Sequence, residues 1–298
     1  MPSVATTLIA LGGVATAGEL REHHSRTVIT GALNRGEIER PRRGRYAVAT
    51  AGQHRRLAHA RTAVLSHLSA AVEHGWKVKT VPELAHLTVR RKRHVPKTER
   101  AGMVLHWADL TPSEVKAGRT SALRTVLDCA RALPFDEALS VADSALRAKD
   151  VSPAQLHDAA AAARGPGSAA VRRVARHADG RAANPLESVL RALTIVEGFS
   201  FTPQLQLAES GLFAIVDLGD VFLGLVLEAE GFEHHGTRAG LRKDCRRHTE
   251  FTVFGVDSMR YAYEDVMFDQ PWVRWTLRAY RDRRAGRIPE SPPLRWAA

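Results

Sequence analysis

The chain has 298 residues, 44% of them hydrophobic, with 43 lysines and arginines against 32 aspartates and glutamates, for a formal net charge of +11. That length corresponds to about two domains, or three small ones, and the apolar share excludes global disorder. The two cysteines, Cys129 and Cys245, are far apart, which excludes a disulfide scaffold or a zinc finger and fits a reducing, cytoplasmic compartment.

The positive surplus favours an acidic partner, with double-stranded DNA first. The opening "VATTLIALGGVATAG" is apolar, but no basic segment precedes it, and Thr6, Thr7 and Gly12-Gly13 interrupt it. It reads as a helix and a turn, not a signal peptide. No run of about 18 apolar residues is present to span a bilayer. No helix pairs a basic face with a dense row of large apolar residues, so a membrane partner is not expected.

In chain order, "SVATTLIAL" predicts a first helix and "ATAGELREH" a second, with Thr16 as N-cap and Glu19 completing a capping box. "SRTVITGALNRG" predicts a third, capped by Ser25 and stopped by Gly36, with Val28, Ile29, Ala32 and Leu33 as its apolar stripe. "IERPRRGRYAVA" reads as strand, turn, strand with Arg43-Gly44 at the tip. This order predicts a winged helix-turn-helix over 1–55. Its third helix offers Arg26, Thr27, Thr30, Asn34 and Arg35 to a major groove. On the hairpin Arg40, Arg42, Arg43 and Arg45 are placed to straddle phosphates. The segment "ITGALNRGEIERPRRGRYAV" resembles the winged-helix domain of AbiE-type antitoxins, which repress their own operons. That resemblance implies a cognate toxin as a partner.

A mixed α/β middle region is expected over 56–165. "RRLAHARTAVLSHLSAAVEHG" has helical period, "KVKTVPELAHLTVRRKRHV" and "MVLHWADL" read as strands, and three amphipathic helices follow. His54, His59, His67, His74 and His86 are scattered and read as surface or satisfied core residues, not metal ligands. A linker containing a helix is expected over 166–183, and a loose tail over 281–298.

The stretch 184–280 carries the chemistry. Asn184-Pro185 caps and starts a helix with Glu187 in its first turn. "SFTPQLQL" predicts an edge strand, "LFAIVD" a strand ending in Asp217, and Gly219-Asp220 a turn. "VFLGLVLEAEG" predicts a central returning strand. Strand alternation puts Val226, Glu228 and Glu230 on one face, and the hairpin sets Asp217 beside Glu228. Carboxylates converging at a buried strand end repel one another and are costly to desolvate. A hard divalent cation, Mg2+ or Mn2+, offsets that, with Asp217, Glu228 and Glu187 as ligands. An arginine-rich helix follows, with Arg238, Arg242, Arg246 and Arg247 placed to hold a phosphodiester backbone.

"NPLES", "IVD", "LEAEGFEHHG", "RKDCRRHTEF" and "SMRYAYEDVM", in that order, resemble the PD-(D/E)xK nuclease superfamily, and within it the domain similar to very-short-patch-repair endonucleases. The resemblance implies a restriction-endonuclease-like α/β domain with a central mixed sheet. It also implies hydrolysis of DNA phosphodiesters in restriction, phage defence or repair, with Asp217 and Glu228 binding the ion and polarising a water. The superfamily places lysine two residues after the motif glutamate, where this chain has Glu230. His234, His235 or Lys243 then stands in, a histidine serving as general base. A non-enzymatic regulator of antitoxin type, its nuclease fold degenerate, is the competing expectation.

Overall fold

The computed structural model describes residues 2–209, 212–230 and 238–293, with backbone alone at 209, 238–241 and 243. The chain is mixed α/β, with three sheets among the described residues. It divides into two compact units, Met1–Gly75 with Val81–Asp128 and Trp76–Thr80 with Cys129–Ala298. The expected middle region is therefore not one body: residues 81–128 cluster with the N-terminal segment and 129–165 with the C-terminal one.

The first unit opens with α1 (Val4–Ala10), β1 (Val14–Thr16), α2 (Ala17–Arg21), α3 (Arg26–Asn34), β2 (Glu39–Arg42) and β3 (Arg45–Ala47). The Thr16–Glu19 capping box and the Ser25 cap form as their spacing predicts. Strand β1 was not legible: Val14–Thr16 is three residues long and gains its partners from β3, in a sheet ordered β1-β3-β2. Ile29 and Ala32 are buried against Leu8 and Leu20, whereas Val28 is 47% exposed and falls outside the stripe.

The unit continues with α4 (Gln53–Arg61), β4 (Val64–Leu65), α5 (His67–Glu73), β5 (Ala85–Arg90), β6 (Met103–Ala108), α6 (Pro112–Ala117) and the first part of α7 (Ala122–Ala132). The single helix expected over 55–75 is broken, because Thr62 caps α4 in the left-handed conformation, φ +52, and Val64-Leu65 pairs with β5. The sheet order is β4-β5-β6, with β5 and β6 parallel. Ala85, Leu87 and Val89 pack one face of β5 into an apolar core, which leaves His86 and Thr88 on the other.

The second unit stacks α8 (Phe135–Arg147), α9 (Pro153–Ala162), α10 (Ser168–His177) and α11 (Pro185–Val196). The expected linker helix is α10, and it buries Val171, Val174 and Ala175. Then come β7 (Thr202–Glu209), β8 (Leu212–Asp220), β9 (Leu225–Glu230), α12 (Arg238–Val253), β10 (Asp257–Ala262), α13 (Tyr263–Phe268) and α14 (Gln270–Arg284). The four-stranded sheet is mixed and ordered β10-β9-β8-β7: β9 is central, β7 is an edge, and β10 runs parallel to β9. Two sequence boundaries shift. Gly219 and Asp220 still pair within the hairpin, so the turn falls at 221–224, where Phe222 is 96% exposed. The last helix runs on to Arg284, past the expected start of the tail.

The sheet is covered on both faces. Leu225 and Leu227 join Leu186, Val189 and Leu190 of α11 and Val273 and Leu277 of α14. Val226, between them, packs with Val216 and with Phe251 of α12. Among the described residues no helix is long and apolar enough to cross a membrane.

Candidate functional site

The acidic positions gather where α11 starts and where the β8–β9 ladder stops. Pairing runs Asp220↔Leu225, Gly219↔Val226 and Leu218↔Leu227, and Asp217 and Glu228 are the residues that follow the last pair. Strand β8 turns about its axis at that point: Leu218 packs with Leu227 while Val216, two residues away, packs with Phe251 on the other face. Facing Asp217 across the β7–β8 ladder is Gln204, whose φ is +50. A regular strand holds no such residue, and the irregularity frees Asp217 from ordinary alternation. Its Oδ2 accepts the Ala229 amide at 2.9 Å.

Glu187 is held from several sides. Its carboxylate accepts the Ala183 amide at 2.8 Å, Asn184 Nδ2 at 2.8 Å and Gln204 Nε2 at 2.9 Å, and its own N–H donates to Asn184 Oδ1 at 3.0 Å. Gln204 Nε2 also lies 3.4 Å from Asp217 Oδ1, so one amide spans two carboxylates. Glu228 Oε1 accepts Arg247 Nη2 at 2.6 Å; the same guanidinium reaches the Ile215 carbonyl and lies over the Phe251 ring. Glu230 accepts Arg260 Nε at 2.8 Å, and Arg260 also stands 3.6 Å from Asp244.

Burial pushes all three inner carboxyls upward. Glu187 is raised by desolvation and by the charge of Asp217; Asp217 by desolvation and by Glu230. Glu228 is raised to about 7, burial foremost, with Asp217 and Glu230 adding to it against the pull of Arg247. Three desolvated carboxyl groups are oxygen donors of the kind a hard divalent cation takes. The spacing is looser than the sequence suggests. Among the described residues the three ligand atoms within 4.8 Å of one another belong to histidines, not to Glu187, Asp217 and Glu228. The Gln204 amide and the Arg247 guanidinium stand among the carboxylates.

The other site residues fall as follows. His234 and His235 lie outside the described residues, as does the Lys243 side chain. Arg242 and Arg246 are exposed on α12, while Arg247, grouped with them by sequence, turns in to Glu228. Arg26, Thr27, Thr30 and Asn34 are exposed on α3, as is Arg35 at its C-terminal cap, although Arg35 pairs with Glu37 at 2.6 Å. Arg43 sits exposed at the hairpin tip, while Arg42 and Arg45 reach back to the Ala60 carbonyl at 3.4 Å and Thr62 Oγ1 at 3.2 Å. Sequence reasoning missed Gln204, because a polar residue in an edge strand carries no signal. His106 was also missed, and it joins His67 and His86, two of the histidines read as scattered.

No family model matches the chain. It is 30% identical over 151 residues to the uncharacterized protein MT2308 of Mycobacterium tuberculosis (strain CDC 1551 / Oshkosh), a stretch covering 49% of this chain and 55% of that protein. The uncharacterized protein Rv2248 of Mycobacterium tuberculosis (strain ATCC 25618 / H37Rv) matches to the same extent. The chain thus spans about half the length of the curated relatives it matches. The crystal structure of the RV2827C protein from Mycobacterium tuberculosis has a TM-score of 0.32 and 12% identity, covering 68% of this chain and 85% of that chain.

Proposed function

We propose that the protein is a divalent-metal-dependent DNA endonuclease whose cutting domain is directed to duplex DNA by an N-terminal winged helix-turn-helix. The observation that carries this reading is the cluster of Glu187, Asp217 and Glu228, three desolvated carboxyls on α11, β8 and β9, each made a weaker acid by burial and by neighbouring carboxylates. Magnesium or manganese, when bound, polarises a phosphate oxygen and acidifies a water. Asp217 and Glu228 are the residues to hold the ion, with Glu187 behind them.

The chain's own groups account for the rest. Arg247 brings a positive charge to Glu228, and so takes the place of the lysine that Glu230 displaces. It would balance the charge that develops on a phosphorane. Exposed Arg242 and Arg246 on α12 suit the strand's phosphates. The helix, strand, helix, helix, strand, strand order of the first 47 residues, with sheet order β1-β3-β2, supports the winged-helix reading. So does the exposure of Arg26, Thr27, Thr30 and Asn34 along one helix.

A second reading, a non-enzymatic autoregulator of antitoxin type that binds a cognate toxin, is favoured by a different observation. Glu187 spends its acceptors on Ala183, Asn184 and Gln204, and Glu230 pairs with Arg260 where the superfamily has a free lysine. One experiment separates the two readings. Supercoiled plasmid is incubated with purified protein and manganese or magnesium, with a chelator control, beside the Asp217→Ala variant. The nuclease reading expects metal-dependent conversion to open circles by the native protein and none above background by the variant. Nicking at the native rate by Asp217→Ala removes these residues from the reaction. DNA retardation without nicking by the native protein selects the regulator.

A further inference from the structure

We infer that His67, His86 and His106 form a binding site for a zinc-class transition metal ion in the first unit, unrelated to the carboxylates of the second. The topology places the three side chains together. In the parallel β5–β6 ladder Thr88 pairs with His106 and His86 with Val104, so His86 and His106 are diagonal neighbours on one face. The opposite face of β5 is apolar core, so the two imidazoles project away from it. The Ser66 amide donates to the His86 carbonyl at 3.0 Å, which pins the start of α5 against β5 and delivers His67 to the same place.

One nitrogen from each ring lies within 4.8 Å of the other two. His106 Nε2 is 3.3 Å from His86 Nδ1, and the His67 and His106 rings stack with centroids 3.6 Å apart. His67 is 7% exposed and holds φ at +49, a left-handed conformation that costs a residue with a Cβ on the order of 1 kcal/mol or more. Backbone strain retained at a buried histidine is a feature of functional positions. The His67 Nδ1 is met by Ser66 Oγ at 3.0 Å, the kind of outer hydrogen bond that fixes the tautomer of a ligating ring.

Three imidazoles suit zinc, nickel or copper far better than magnesium or manganese, and leave a fourth position for water. Arg124, a cation whose charge is felt at His67, is matched by Glu114 at 3.0 Å and Asp128 at 3.4 Å. His86 and His106 are half-buried, which leaves a way in for the ion. Binding would splay the stacked His67 and His106 rings into a radial arrangement.

The test uses full-length protein stripped with chelator. Titration with cobalt(II) reads a ligand-field spectrum, and competition with zinc reads affinity and stoichiometry. One histidine-dependent equivalent of zinc at micromolar Kd or tighter is expected, apart from any held by the carboxylates, with a nitrogen-ligated four-coordinate cobalt spectrum. His86→Gln and His106→Gln are each expected to weaken zinc binding by about 100-fold or more, while Asp217→Ala with Glu228→Ala leaves it unchanged. Should either histidine variant fail to fold, the cobalt spectrum of the native protein still decides. An octahedral all-oxygen spectrum, no saturable zinc, or undiminished affinity in a folded histidine variant overturns the site.

Discussion

Asp143→Ala is expected to lower the melting temperature by roughly 10 °C. Asp143 on α8 has no exposed side-chain area, and its partner Arg191 on α11 is 5% exposed. Arg191 Nη2 donates to both Asp143 oxygens, at 2.8 and 2.7 Å; Nη1 donates to the His177 carbonyl at 2.6 Å, and the Asp179 amide closes on Asp143 Oδ1 at 2.7 Å. Removing one partner of such a pair strands a buried guanidinium and costs about 3–5 kcal/mol. For a unit of this size each kcal/mol is worth about 2–4 °C. Replacing both by apolar residues of similar volume, Asp143→Leu with Arg191→Met, removes the stranded charge and should recover most of the loss. Scanning calorimetry at neutral pH decides; a fall of less than about 2 °C for Asp143→Ala would show that the pair carries little. The pair also fixes α11, the helix that carries Glu187.

On the proposed nuclease reading, Arg247→Ala is expected to slow nicking by about 100- to 1000-fold, the usual loss when a donor aimed at developing charge is removed. Rate alone does not distinguish a charge role from a structural one; the pH profile does. Burial raises the Glu228 carboxyl to about 7 while Arg247 pulls the other way. Without the guanidinium the carboxyl rises further, so activity that needs ionised Glu228 should appear only at higher pH. The acid limb should move up in Arg247→Ala relative to the native protein and return toward its place in Arg247→Lys, which keeps the charge. A slower enzyme with an unmoved limb would make Arg247 a packing residue on Phe251.

The C-terminal sheet was largely legible because its signals are strong ones. Asn184-Pro185 starts α11, the apolar run before Glu228 marks a central strand, and a helix between β9 and β10 makes the parallel crossover natural. What escaped depends on partners distant in sequence. Val14–Thr16 is a strand because β3 lies beside it. The helical period across 55–75 is interrupted because Leu65 pairs with Leu87. In the site, the hairpin ladder ends at Leu218↔Leu227, one step short of Asp217 and Glu228, and alternation gave no warning of the twist at Gln204 or of the amide it inserts between Glu187 and Asp217. His67, His86 and His106 looked unrelated because a helix start and two parallel strands bring them together, and no spacing rule spans that arrangement.

Manganese binding followed by electron paramagnetic resonance tests the central claim most directly, since free and bound ion give different signals and no DNA is needed. Native protein is predicted to hold one more tightly bound manganese per chain than a folded Asp217→Asn, Glu228→Gln variant, with any ion at the histidines common to both. Equal manganese uptake by the two proteins would contradict the account.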